Sequence, residues 1–96
     1  RLPHARAEAE WVADGAMAAL QEGLRQAQLV VLAPTREQLR PIAAQLRRHG
    51  LAVQGQHEDG FRRFDWTADT VKLMSFHAAK GLEFPWVAIA GLQALP

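Results

Sequence analysis

An α/β domain with a mainly parallel sheet is predicted by three features of the chain. Two stretches, residues 5–24 and Thr35 to His49, place apolar residues at helical spacing. Short apolar runs at 29–33, 70–76 and 86–92 read as strands, with a shorter one at 51–54. The resulting order of helix, strand, helix, strand, loop, strand, turn, strand is that of a layered α/β fold.

Each element follows from local chemistry. Within 5–24, Trp11, Val12, Ala16, Ala19 and Leu20 fall near one face, while Glu10, Asp14, Gln21 and Arg25 fall elsewhere, and Gly23 lies near the end. Leu29 to Ala33, in QLVVLAP, is a strand apolar on both faces that is closed by Pro34. Thr35 and Gln38 have capping-box spacing, and the apolar face then runs through Leu39, Ile42, Ala43 and Leu46 to Gly50, which suits a left-handed helix end. Pro41 would remove a hydrogen bond inside that helix, so the helix either kinks there or begins near Arg40 with Pro41 in its first turn. QGQHEDGFRRFDWTA, residues 55–69, reads as a long connection, and TVKLMSF and WVAIAGL supply the last two strands.

Composition narrows the function classes. A chain of 96 residues, 49% hydrophobic, supports one domain or one piece of a larger protein. At that size folding removes only about 60 to 65% of the unfolded chain's surface, so stability gains from neighbouring domains. The formal net charge of +1, from eleven Lys and Arg against ten Asp and Glu, gives no global basic field, so any nucleic-acid site is local. Without Cys there is neither a disulfide framework nor a thiolate metal site. No apolar run approaches the roughly 18 to 20 residues that span a bilayer, and no basic segment leads into an apolar one as in a secretory signal. The expectation is a cytoplasmic domain with no membrane partner, and since no initiator Met is present the native amino terminus is expected to be missing.

The chemistry concentrates in SFHAAKGLEFP, residues 75–85. Ser75, His77, Lys80, Gly81 and Glu83 follow an apolar strand directly, where open α/β sheets hold their ligands. If the chain stays extended through Phe76, Ser75 and His77 share one side. Lys80 and Gly81 offer a point charge and a closely approachable backbone, as a polyphosphate requires, and Glu83 is an acceptor suited to a sugar hydroxyl. Blander readings stand beside these: Ser75 as the cap of a helical turn over 76–80, His77 as an exposed turn residue, and Lys80 with Glu83 as a surface ion pair worth well under about 1 kcal/mol.

The full pattern is more specific than its parts. VKLMSFHAAKGLEFPWVAIAGL resembles motif V of superfamily I DNA helicases of the UvrD, Rep and PcrA type, which has Thr or Ser, His, Lys, Gly and Glu at this spacing between two apolar strands. EAEWVADGAMAAL, the strand and turn VVLAPTREQ, and the helix up to HGLAV resemble the start of that family's second motor domain more weakly. Pro34 stands where many members carry Arg, so no role is carried to it. The resemblance implies a RecA-like, P-loop NTPase-like three-layer domain, with residues 1–96 as part of the second motor domain. It implies that Ser75 and His77 contact backbone phosphates of single-stranded DNA, and that Lys80, Gly81 and Glu83 contact ATP. The implied partners are single-stranded DNA and the first motor domain of the same polypeptide, with ATP and Mg2+ as cofactors of the full-length protein and none expected on this piece.

These residues contain no GxxxxGK[ST] phosphate loop and no strand ending in an acidic pair for magnesium, and the arginine-bearing motif that follows in this family is not reached. The piece alone is therefore expected not to hydrolyse ATP. The family's large insertion is expected to be absent or reduced to residues 55–69. The competing reading is a degenerate module that binds DNA or a protein partner without ATPase activity. A hydrolase using Ser75, His77 and Glu83 is disfavoured, because side chains two apart on one strand side lie about 6 to 7 Å apart, beyond hydrogen-bond reach. FRRFDW, residues 61–66, is read either as a stacking platform for single strands or as aromatics pinned to the domain. HEDG, residues 57–60, is read as a solvated turn with no metal assigned to it, and Trp11 and Trp86 as core or interdomain contacts.

Overall fold

The computed structural model describes residues 2–59, 64–79 and 81–91. Helix α1 (Leu2–Gln21) leads through a 3-10 turn (Gln26–Gln28) into β1 (Leu29–Ala33), followed by α2 (Leu39–Arg48), β2 (Val53–Gly55), the short α3 (Gln56–Asp59), β3 (Val71–Ser75) and β4 (Trp86–Ile89). The four strands make one sheet in the order β2-β3-β1-β4, and all three pairings are parallel. Val31, at the centre, stands beside Leu73 on one side and Ala88 on the other.

One face of the sheet carries the core. Leu29, Val31, Ala33, Val53, Val71, Leu73, Ala88 and Ala90, which follow the two-residue strand period, pack with α1 and α2. The α1 contribution is mostly alanine, at positions 9, 13, 16 and 19, with Val12; small side chains let this helix lie close to its neighbours. Helix α2 contributes Leu39, Ile42, Ala43 and Leu46, all at most 1% exposed, where truncation of a leucine to alanine typically costs about 2 to 5 kcal/mol. Trp11 departs from the expected apolar face. It is 63% exposed while Val12 and Ala16 are buried, because the alanine stripe, not the tryptophan edge, is what fits against α2 and the sheet.

The helix ends follow the sequence signals. Pro41 sits in the first turn of α2, where its missing N–H has no helical partner to lose, so no kink is needed. Gln38 Oε1 accepts from the Thr35 N–H and hydroxyl, both at 3.0 Å, which shapes the preceding turn. At the other end the Leu51 N–H returns to Leu46 O at 3.1 Å and the Gly50 N–H to Arg47 O at 3.0 Å, with Gly50 at φ +84°. Helix α1 ends on the same pair of bonds around Gly23, so it stops at Gln21, short of the expected residue 24.

The described parts of the 55–69 connection are more ordered than their composition suggests. Gln56–Asp59 forms α3, and the following turn is tied down by Asp65 Oδ1, which accepts from Thr67 N–H at 3.0 Å and Thr67 Oγ1 at 2.6 Å. Lys72, 1% exposed within β3, donates to Ala68 O at 3.1 Å and to Thr70 O and Thr70 Oγ1 at 2.8 Å. A buried ammonium with three acceptors is a satisfied one. Phe61, Arg62 and Arg63 of the FRRFDW stretch lie outside the described residues. Phe64 and Trp66 pack ring to ring, with centroids 5.1 Å apart.

Candidate functional site

The sheet topology selects one end of the molecule. β1 and β3 are neighbours, but their outgoing segments part, since β1 is followed by α2 and β2 while β3 is followed by the crossing to β4 on the far side of β1. A crevice beyond the carboxyl ends of two such strands is where open parallel sheets bind ligands. Residues 75–85 leave β3 at that point.

Their geometry is set by hydrogen bonds at the strand end. The Phe76 N–H donates to Ala33 O at 3.1 Å, which holds the chain against β1. The extended run then stops: Ala78 N–H and Ala79 N–H both return to Ser75 O, at 3.1 and 3.2 Å, and Ala79 N–H also reaches Phe76 O. Ser75 and His77 therefore do not share one strand side, because the two-residue period ends at Ser75. Ser75 is 9% exposed, whereas His77 is exposed. The Leu82 N–H donates to Ala79 O at 3.0 Å, and Gly81 between them has φ +84°, a left-handed conformation on an exposed surface. Glu83 is exposed on the way to β4, and Phe84 is half-buried. Lys80 lies outside the described residues, so the turn presents His77, Gly81 and Glu83 at its surface, with Ser75 at its root.

Chemically, the described residues of this short turn offer one imidazole, one freely approachable backbone unit and one carboxylate. They have the makings of a contact for an anion-bearing ligand on the imidazole side and a hydroxyl donor on the carboxylate side. Among the described residues no group of three or more His, Asp or Glu converges on a metal position. The HEDG stretch shows why: Glu58 is taken up by Arg47, and His57 is turned inward, its side chain 3% exposed. Burial pushes the His57 pKa below its ordinary value, Arg40 and Arg47 push the same way, and Glu58 and Glu37 oppose them.

Two features had faint or no signals in the sequence. Lys72 was visible as a charge inside an apolar run, which in a strand buried on both faces calls for a local acceptor set. Gln56, whose side chain meets the Ser75 N–H, gave no signal at all. Elsewhere, a groove of 610 Å³ between α1 and β4 is lined by Trp11, Asp14, Trp86, Val87 and Ile89 among others and shares no residue with the turn. Trp86 is part of the core edge, close enough to Gly15 that a Cβ there would lie 3.2 Å from its ring.

Comparison with protein-family models, curated proteins and solved structures finds no match to this chain.

Proposed function

We propose that residues 1–96 are part of the second motor domain of an ATP-driven DNA helicase or translocase. In this reading the 75–83 turn contacts single-stranded DNA on its Ser75 and His77 side and nucleotide on its Lys80, Gly81 and Glu83 side. The observation that carries it is the five-residue pattern, at fixed spacing, in a turn that leaves the carboxyl end of an interior parallel strand.

The burial of Ser75 orders the roles. An exposed imidazole can donate to a backbone phosphate without rearrangement, so His77 is the principal DNA contact and Ser75 supports it. Gly81 lets a phosphate approach the main chain, and the Glu83 carboxylate accepts from a sugar hydroxyl. ATP, with Mg2+, would supply the phosphoanhydride whose hydrolysis drives movement. This chain's own residues bind and orient around that nucleotide. One short turn bearing on both ligands would let a change at one alter the grip on the other, which is coupling through a shared element.

The test is single-strand binding by the chain itself, followed by fluorescence anisotropy with a labelled oligothymidylate at low salt. Weak binding that falls with salt is expected, because few phosphates can be neutralised at near-zero net charge. His77→Ala should weaken it by about three- to tenfold, the loss of one charge-assisted or neutral hydrogen bond. An unchanged affinity in His77→Ala, or no binding by the wild type at low salt, overturns the DNA assignment. Tight, salt-insensitive binding would instead favour a stand-alone binding module.

A further inference from the structure

Three turns at the carboxyl end of the sheet meet at one residue. In the parallel ladder between β2 and β3, the Val71 N–H donates to Ala52 O at 2.9 Å. The two-residue period puts the next rungs on that side at Leu73 with Gln54 and at Ser75 with Gln56. The chain leaves β2 at Gly55, however, and turns into α3. The Gln56 main-chain carbonyl is carried away from β3 and accepts from Arg36 Nη2 at 3.0 Å. The missing rung is made by the Gln56 side chain, whose Oε1 accepts from the Ser75 N–H at 2.8 Å.

We infer that Gln56 is a positioning residue for the 75–83 turn, and that it links this turn, through Arg36, to the turn that follows β1. Ser75 is where β3 ends and the turn begins, and on the β2 side its amide is held by a side chain. A main-chain rung moves only with its strand; a side-chain rung opens by rotation about side-chain bonds while the backbone of β2 stays in place. Gly55, at the exit from β2, lies so close under the buried His57 ring that a Cβ there would collide with it. Displacement of Arg36 would act on the main chain of the residue whose side chain holds Ser75. The relevance to ligand binding rests on the reading of 75–83 as a DNA- and nucleotide-contacting turn. The positioning itself does not.

Amide hydrogen exchange followed by NMR on the whole chain tests the positioning. In Gln56→Ala the Ser75 amide should exchange about tenfold faster, as expected for one lost hydrogen bond, while Val71, held by Ala52, keeps its protection. Gln56→Glu keeps an acceptor oxygen at the same reach and should restore protection at Ser75. Arg36→Ala should raise exchange at Ser75 by a smaller factor. Unchanged exchange at Ser75 in Gln56→Ala, no rescue by glutamate, or an equal loss at Val71 overturns the inference, and no change in Arg36→Ala overturns the link to the β1 turn. The wild type offers a check that needs no variant: a through-hydrogen-bond coupling between the Ser75 amide nitrogen and the Gln56 side-chain carbonyl carbon supports it, and its absence refutes it. Anisotropy on the same proteins separates the two readings. If Ser75 responds to Gln56 but the wild type binds no oligothymidylate, the proposed function fails and the positioning stands.

Discussion

Arg47 and Glu58 meet as a two-pronged pair, Nη1 to Oε2 at 2.8 Å and Nη2 to Oε1 at 3.1 Å, which joins the last turn of α2 to α3. The hydrogen bond from Arg47 holds the Glu58 carboxyl below its ordinary pKa, and Glu58 in turn raises that of the guanidinium. Arg47 Nη2 also donates to Val53 O at 3.1 Å, so the same side chain grips β2.

The two partners should therefore not be equivalent. Their side chains are 45% and 38% exposed, so solvent screening keeps the pair itself to about 0.5 kcal/mol. Glu58→Ala is expected to cost about that amount. Arg47→Ala should cost about 1 to 1.5 kcal/mol, since it also strips an acceptor bond at Val53. Urea unfolding of both variants measures the difference, and equal losses would show that the Val53 bond contributes nothing.

Acid should destabilise the fold in two steps. The His57 pKa is lowered in the folded state, so its contribution is complete above its ordinary value of 6.5 and is lost as pH falls through 6.5 toward the lowered folded value. The Glu58 pKa is also lowered, so its contribution is present above its ordinary value of 4.5 and is lost as pH falls below that. His57 faces Glu58, Glu37, Arg40 and Arg47, and its Nδ1 is buried without a hydrogen-bond partner, so a proton there finds little relief. Replacing it, as in His57→Gln, should abolish the upper step of a urea midpoint measured against pH and leave the lower one. An unchanged upper step would place the responsible group elsewhere.

Lys72 separates charge from packing. Burial pushes its pKa below the ordinary value, with Asp65 and Asp69 opposing, so keeping it charged at neutral pH has an intrinsic cost that its three hydrogen bonds offset. The acceptors belong to Ala68 and Thr70, both only half-buried, and Thr70 Oγ1 keeps its bond from Gln54 Nε2 when the ammonium is gone. Lys72→Met should then change stability by less than about 1 kcal/mol, whereas Lys72→Ala should cost about 2 to 3 kcal/mol through the space it leaves. Thermal or urea unfolding decides; a methionine variant as poor as the alanine one would mean that the hydrogen bonds dominate.

Two left-handed glycines should respond differently to a methyl group. At Gly81, with φ +84° and nothing within 4 Å of an added Cβ, alanine meets only backbone strain, about 1 kcal/mol. At Gly91, with φ +79°, the added Cβ would lie 2.8 Å from both Pro34 Cδ and Gln38 Nε2, so crowding adds to strain and the cost should reach about 2 to 3 kcal/mol. Equal losses at the two sites would mean that the turn after β1 yields freely.

Much of this fold is legible in the residues, for identifiable reasons. β1 occupies Leu29–Ala33 as expected because a β-branched run closed by Pro34 leaves little choice, and Pro41 sits in the first turn of α2 because an interior position would cost a hydrogen bond. The strand order is not legible: β1 and β2 follow one another in sequence, but β3 lies between them. Nor was α3, which is tied to distant parts of the chain through Glu58 to Arg47 and through Gln56 to Arg36 and Ser75. The candidate site divides likewise. Residue types and spacing can be read directly from 75–83, whereas the inward placement of Ser75 and the outward placement of His77 depend on backbone bonds to Ala78 and Ala79 that spacing does not encode.

The strand order also has a kinetic side. Of the four strands, β1 comes first along the chain, yet its two neighbours, β3 and β4, come last. Until they arrive, its apolar residues wait, shielded on one face at most by α1 and α2, and closure depends on contacts of long sequence separation, which form slowly. The helices rest on local contacts, so the rate of reaching the native state is expected to be set by the zipping of β3 and then β4 onto a strand held open for them. Stopped-flow refolding of Val31→Ala and Ala88→Gly against a helix substitution such as Leu46→Ala would show where that barrier lies, with the first two slowing folding and the last mainly speeding unfolding. In a growing polypeptide the central strand is the segment longest in need of protection from foreign pairing.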